Sequence, residues 1–189
     1  MAVEKRNKVF IATSLDGYIA DKNGGIDWLH SIPNPDNDDM GYEAFMSQVD
    51  ALVMGRATFE TVCGFDVEWP YKKPVFVLSD SLSELPEEYN DKAELVSGSL
   101  VKILTEIHGK GYGNLYIDGG RTIQSFLKED LIDEMTITII PYLLGGGKSL
   151  FSELSIRLDF DCVGTKIFLE KIVQNRYVRK RNSARVADL

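Results

Sequence analysis

Apolar residues fall along the chain in two rhythms. Val9-Phe10-Ile11-Ala12, Ala51-Leu52-Val53-Met54, Val75-Phe76-Val77-Leu78 and Leu115-Tyr116-Ile117 are short unbroken runs. Runs of this length suit strands buried on both faces of a parallel sheet. Between them the spacing lengthens to that of one helix face. Tyr42, Phe45, Met46 and Val49 fall at i, i+3, i+4 and i+7, and Leu100, Ile103, Leu104 and Ile107 repeat the pattern behind Ser99 as N-cap. Ile123, Phe126 and Leu127 open another helix. Thr136 to Ile140 is rich in β-branched residues, and Lys166 to Arg179 reads as paired strands without an intervening helix. Strand–helix alternation through the first two thirds predicts an α/β fold with a mostly parallel sheet, and the late strands predict an antiparallel C-terminal edge. Asn34-Pro35-Asp36-Asn37-Asp38-Asp39 predicts a loop. Arg179-Lys180-Arg181-Asn182-Ser183 lacks apolar residues and predicts a frayed tail from about residue 180. No repeat, low-complexity segment or linker-like shift divides the 189 residues, so a single domain over 1–189 is expected.

Charge narrows the partners. The chain carries 21 basic and 29 acidic residues, a net charge of −8. Such a surface repels nucleic acid and anionic lipid, so neither is an expected partner, and any bound phosphate needs a local cationic cluster. Cys63 and Cys162 are too few for a disulfide framework and lie outside any CxxC motif. Val9–Leu15, the early apolar stretch, is interrupted by Thr13 and Ser14. No signal peptide or spanning helix is expected, and a cytoplasmic location is.

In open α/β sheets ligands sit at the carboxyl ends of the strands, so the residues just after each strand are the ones to inspect. After the first strand comes Asp16-Gly17, which reads equally as a turn dipeptide or as a carboxylate at the sheet mouth. After Met54 come Gly55-Arg56-Ala57-Thr58-Phe59-Glu60: a glycine permitting close backbone approach, a helix start with free N–H groups, and either a phosphate-binding or a merely solvated arginine. Ser79-Asp80-Ser81 follows Leu78 and by itself reads as a helix cap. Asp118-Gly119-Gly120-Arg121-Thr122 follows Ile117 and suits a backbone nest for a pyrophosphate. One such glycine–arginine junction is weak; two in one chain are harder to dismiss. Gly147-Lys148-Ser149 ends like a P-loop, but the first required glycine is Tyr142; Gly111-Tyr112-Gly113 fails as a dinucleotide fingerprint because its last glycine is Tyr116. His30 and His108 stand in unrelated contexts, so no metal site is expected, and His108 before Gly109 reads as a helix-dipole partner. Without a protein nucleophile or a metal, difficult chemistry needs a bound cofactor.

Taken together, Ser14-Leu15-Asp16-Gly17-Tyr18-Ile19-Ala20, Val53-Met54-Gly55-Arg56-Ala57-Thr58-Phe59-Glu60, Asp118-Gly119-Gly120-Arg121-Thr122 and Pro141-Tyr142-Leu143-Leu144-Gly145-Gly146-Gly147 with Leu150-Phe151 resemble the dihydrofolate-reductase superfamily over nearly the whole chain. The chain is most similar there to stand-alone relatives of the reductase domain of the bifunctional riboflavin-biosynthesis deaminase/reductase. The resemblance implies a three-layer α/β/α fold with about eight strands and hydride transfer from NADPH to a pyrimidine or pterin-like heterocycle. The reaction implied is of the 5-amino-6-(5-phosphoribosylamino)uracil reductase type; dihydrofolate reduction and a non-catalytic NADPH-binding module are the alternatives. By position it implies that Ala12 and Ile19 hold the carboxamide through their backbones and that Gly55, Arg56 and Thr58 hold phosphates. Arg56, Ser79 and Arg121, with Asp80 beside them, would surround the 2′-phosphate, and Gly119, Gly120 and Thr122 would line the pyrophosphate. Asp27, Trp28 and Thr138 are implied substrate contacts, and Asp16 a substrate-orienting or proton-relay group. The carboxylate that anchors the pterin in dihydrofolate reductases aligns near Gly41, with Asp39 and Glu43 as neighbours. A zinc deaminase signature is absent from the sequence, and analogy with the riboflavin branch implies a homodimer.

Overall fold

The early apolar run becomes β1 (Arg6–Ser14), which lies parallel to β6 (Asn114–Asp118) on one side and to β7 (Glu134–Ile140) on the other. This is a computed structural model, and it describes residues 5–65 and 67–181. β3 (Ala51–Gly55) pairs with β6 and with β4 (Val75–Leu78), and β4 pairs with β5 (Ala93–Val96), all parallel. β10 (Ile172–Arg179) returns antiparallel along β7, and β9 (Phe160–Phe168) closes that edge antiparallel to β10. The order is β5-β4-β3-β6-β1-β7-β10-β9. This is the mostly parallel sheet with an antiparallel edge that the pattern predicted, and six strands present their carboxyl ends along one rim.

Alternation within each strand divides the core. Leu115 and Ile117 point toward α3 (Leu100–Gly109) and α4 (Gly120–Lys128), joining Ile103, Ile107, Ile123 and Phe126. Tyr116 points the other way, toward α1 (Tyr42–Met46) and α2 (Arg56–Cys63), joining Phe45, Phe59, Leu52 and Met54. Helices on both faces complete the three layers. A third, smaller cluster of Ile32, Ile140 and Ile172 sits beside the site, with Ala12, Trp28 and Met40 against it. No helix among the described residues is long and apolar enough to cross a membrane.

Three expectations are revised, and three short strands join those the pattern announces. The helix expected through Val49 stops at Met46, because the Ser47 hydroxyl and Gln48 amide both donate to Ala44 O and Asp50 turns the chain into β3 by accepting the Gly113 and Asn114 amides. β5 and the separate two-stranded ribbon of β2 (Tyr18–Ala20) and β8 (Lys148–Ser149) are too short to show a period. His108 is not a charged dipole partner: burial, with Lys5 nearby, depresses its proton affinity, and its Nε2 has no partner. Arg179 to Arg181 do not fray. The Arg179 side chain is 9% exposed, and its guanidinium grips Asp130 at 2.6 and 3.0 Å and lies 5.6 Å from the Phe160 ring centroid, while Arg181 pairs with Asp133. The rest of the expected tail, 182–189, lies outside the described residues.

Replacing Arg179 by Met should strand the partly buried Asp130 carboxylate and cost about 3 kcal/mol. Thermal denaturation should show a fall of roughly 10 °C; an unchanged melting temperature would mean the tail is not held by this pair.

Candidate functional site

The two glycine–arginine junctions meet. Met54 and Asp118 are paired in the β3–β6 register, so Gly55 and Gly119 leave neighbouring strands at the same rim. Gly55 caps α2 and Gly119 caps α4, and neither helix start receives a side-chain cap. Their leading N–H groups have no partner in the helix and point outward from the rim, where an anion can bind. A Cβ at Gly119 would overlap Thr58 Oγ1, and one at Gly55 would lie 2.7 Å from Thr122 Oγ1. Each junction therefore makes room for the other's threonine. Gly119 also holds φ +91° and ψ 133°, a conformation open to glycine alone. Gly120 is tight for a third reason: its Cβ would come within 2.5 Å of Ile19 Cδ1.

The expected 2′-phosphate group of residues is only partly brought together. Arg56 opens α2, donates to Ser81 Oγ at 3.2 Å and pairs with Glu60 at 3.3 Å, both on the surface. Ser79 is buried, and its hydroxyl oxygen accepts from the Ser81 and Leu82 amides. It shapes the turn, and Ser81 is the hydroxyl that faces Arg56, a residue the sequence reading passed over. Asp80 accepts from the Gly98 amide instead of joining Arg56. Arg121 lies one residue into α4, exposed, with no side-chain partner among the described residues.

Asp16 proves to be a tie between loops. Its carboxylate accepts from the Ser14 hydroxyl at 2.6 Å and from the Leu144 and Gly145 amides at 3.0 and 2.8 Å. The Ser14 hydrogen bond, with the two amides, holds this exposed carboxyl below the usual range. An acid kept ionised, with its oxygens occupied, is poorly suited to relaying protons, which corrects that part of the expectation. What Asp16 does is bind the loop after β7 to the segment carrying Ile19.

The carboxyl that does suit proton chemistry is Asp118, which the strand-end reading named only as part of a motif. It ends β6 on the face toward α1, where burial pushes it up to about 6 against the lowering pull of the Gly119 amide and Tyr116. Part of its surface still meets solvent, yet protein surrounds the carboxyl closely enough for burial to prevail. Tyr42, Tyr71 and Tyr116 surround it, each pushed up first by burial and then by the Asp118 charge. Tyr116 donates to Phe10 O at 2.9 Å, and Phe10 packs edge-on to Tyr42 at 5.6 Å. One sequence signal was available: a carboxylate closing an otherwise apolar central strand.

Beyond β1 the same face carries the expected substrate contacts. Ala12 pairs with Thr138, and Thr138 accepts from Gln174 at 2.9 Å. Trp28 packs against this corner with its Nε1 buried and unpartnered, while Asp27 beside it is exposed. Asp39 is no substitute for the carboxylate missing at Gly41. It accepts from the Glu43 and Gly41 amides, which hold it below the usual range, and so caps α1. A groove of about 450 Å³ lies at the opposite rim, lined by Trp69, Tyr71 and four lysines. Two of those are occupied, Lys73 by Val49 O and Lys110 by Glu94 and Glu106.

Comparison with known proteins bears on the family and the fold. The family model for the RibD C-terminal domain matches residues 8–174. A putative riboflavin biosynthesis protein from Shewanella sp. PV-4 is 58% identical over 93% of this chain and 99% of its own, with a TM-score of 0.91. The diaminohydroxyphosphoribosylaminopyrimidine deaminase/5-amino-6-(5-phosphoribosylamino)uracil reductase of Thermotoga maritima is 16% identical over 94% of this chain but 57% of its own, with a TM-score of 0.71. Dihydrofolate reductase from Enterococcus faecalis, solved with NADP(H), is 18% identical over 93% of this chain and 97% of its own, with a TM-score of 0.62, and so shares the fold. With the family model spanning most of its length, the chain belongs to the RibD C-terminal domain family.

Proposed function

We propose that the protein is an NADPH-dependent reductase acting on a pyrimidine, of the 5-amino-6-(5-phosphoribosylamino)uracil reductase type. The observation that carries this is the pair of interlocked, uncapped helix starts with a raised-pKa carboxyl beside them. The residues fit the cofactor. The amides following Gly55 and Gly119 would hold phosphates, Arg56 with Ser81 would meet the 2′-phosphate, and Ile19, seated on Gly120, would sit against the nicotinamide end. When bound, NADPH supplies the hydride.

The chain's own groups do the rest. Addition of hydride to an imine or carbonyl carbon leaves an electron pair on nitrogen or oxygen, and a proton must reach that atom. Asp118 carries such a proton below about pH 6. Tyr42, Tyr71 and Tyr116 stay neutral and wall the carboxyl on the protein side. Asp16 acts at a distance, holding the Ile19 segment against the rim. Dihydrofolate reduction is less well supported because Asp39 is committed to capping α1. A purely cofactor-binding role leaves the destabilising burial of Asp118 without a purpose.

The same reading makes the protein a homodimer. β9 is an exposed nine-residue edge with Val163 and Ile167 at 53% and 68% exposure. Long apolar edges are normally covered, here by a second copy.

Four measurements test this reading. Nicotinamide fluorescence titration should show NADPH binding more tightly than NADH. Arg56→Ala should weaken NADPH ~10-fold or more while leaving NADH nearly unchanged, because only one of them carries the 2′-phosphate; equal losses overturn the placement. The pH profile of NADPH oxidation should fall as pH rises through about 6, and Asp118→Asn should lower the rate and remove that limb. The sign also reaches stability. A folded-state pKa above the unfolded value means stability is lost as pH rises through the folded value, so Asp118→Asn should melt higher than the parent at pH 8 and level with it at pH 4. Light scattering should find a dimer, and Val163→Lys with Ile167→Lys should give monomer.

A further inference from the structure

Thr138 and Gln174 are register partners across β7 and β10, and both are buried. Gln174 Nε2 lies 3.0 Å from Met40 O and 2.9 Å from Thr138 Oγ1. A backbone carbonyl can only accept, so the atom facing Met40 must be the amide nitrogen, and the Met40 carbonyl thereby settles which way the amide is turned. The same nitrogen then donates to Thr138. Thr138 is an acceptor in that bond, and its own hydroxyl proton has no acceptor among the described residues although the side chain is only 4% exposed.

A buried donor without a partner is uncommon in a folded protein. Here there are two at one corner. Trp28 Nε1 is also buried and unpartnered, and Trp28 packs in the cluster that holds Met40 and Ala12, the latter paired with Thr138. No free carboxylate faces them from the start of α1, because that position is Gly41 and Asp39 is occupied. This corner of the wall thus offers two unpaired donors, and neither position 41 nor Asp39 supplies the carboxylate that would pair with an amino-substituted ring.

We propose that Gln174 is a specificity-determining positioning residue: by donating to Thr138 it turns the threonine hydroxyl into a donor toward the substrate, so that this wall takes a ring presenting carbonyl oxygens and rejects one presenting amino groups. The proposal rests on the reading of this face as the substrate side of a pyrimidine reductase. It adds the residue that decides between oxo and amino rings. A site built around a polar contact penalises the analogue that leaves its buried groups unpaired.

Two probes with the same substitution at C5 and C6 are 5,6-diaminouracil, with oxygens and ring N–H groups at its other edge, and 2,4,5,6-tetraaminopyrimidine, with amino groups and bare ring nitrogens there. Calorimetric titration of each, with and without saturating NADPH, should show the oxo ring favoured by about fivefold or more. Thr138→Val should abolish the preference and Thr138→Ser should restore it. Gln174→Leu should weaken the preference in the parent and change nothing further in Thr138→Val, a coupling that general loosening of the fold would not produce. Equal affinities in the parent, a preference that survives Thr138→Val, additive effects of the two substitutions, or no detectable binding of the oxo ring would each overturn the proposal. Absence of NADPH binding would instead overturn the reductase reading, and the cofactor-free titrations would still decide the role of Gln174.

Discussion

The site depends on how closely two helix starts can be brought together at the rim of one sheet. β3 and β6 are hydrogen-bonded neighbours, so α2 and α4 must begin within one strand spacing of each other, about 4.8 Å. Side chains of ordinary size at both corners would force them apart. The Thr58 and Thr122 hydroxyls already fill the space where Cβ atoms of Gly119 and Gly55 would go. Glycine is thus demanded first by protein against protein. The consequence for chemistry is that two sets of unpaired N–H groups converge on one place, and their partial positive charges add there. Such a corner suits an anion without requiring a surplus of lysine from an acidic chain.

Two aspartates near that rim show how environment separates roles. Asp16 is exposed, meets one hydroxyl and two amides, and stays ionised. The Asp118 carboxyl is buried among aromatic rings, a cost that the Gly119 amide and Tyr116 only partly offset, and it resists ionisation until about pH 6. The residue type is the same; the number of donors and the depth of burial differ. A carboxylate with donors all around it becomes a structural tie, whereas one deprived of them keeps a proton near neutral pH.

The sheet was legible because its strands are buried on both faces, and double burial writes itself as an unbroken apolar run. The glycine corners were legible for a related reason: each directly follows such a run. Asp118 was harder to see because its property comes from Tyr42, Tyr71 and Tyr116, which stand as far as 76 positions away in the chain. Gln174 left no local signal at all, since it matters only once β10 returns beside β7. Ser79 misled for a different reason. A serine after a strand can meet a ligand or close a turn, and only its burial shows that it closes the turn. The tail misled because five polar residues in a row read as solvent-exposed, whereas Arg179 and Arg181 answer Asp130 and Asp133 far earlier in the chain.

The arginines also divide by rim, and the division bears on what the protein can bind. At the amino rim Arg6 and Arg176 meet Glu134, and Arg179 and Arg181 meet Asp130 and Asp133. Burial alone would push Glu134 up, but Arg176, Lys8 and Arg6 together hold it below the usual range. Those cations are committed: each answers a carboxylate that is itself partly buried. At the carboxyl rim the commitments are weak. Arg56 shares a surface contact with Glu60 one helical turn away, an arrangement that contributes only about 0.3–0.5 kcal/mol. A doubly charged phosphate offers Arg56 far more than Glu60 does, so exchanging one partner for the other costs little. In a protein of net charge −8, arginines held tightly at one rim and loosely at the other leave Arg56 at the carboxyl rim as a cation that an anion can recruit.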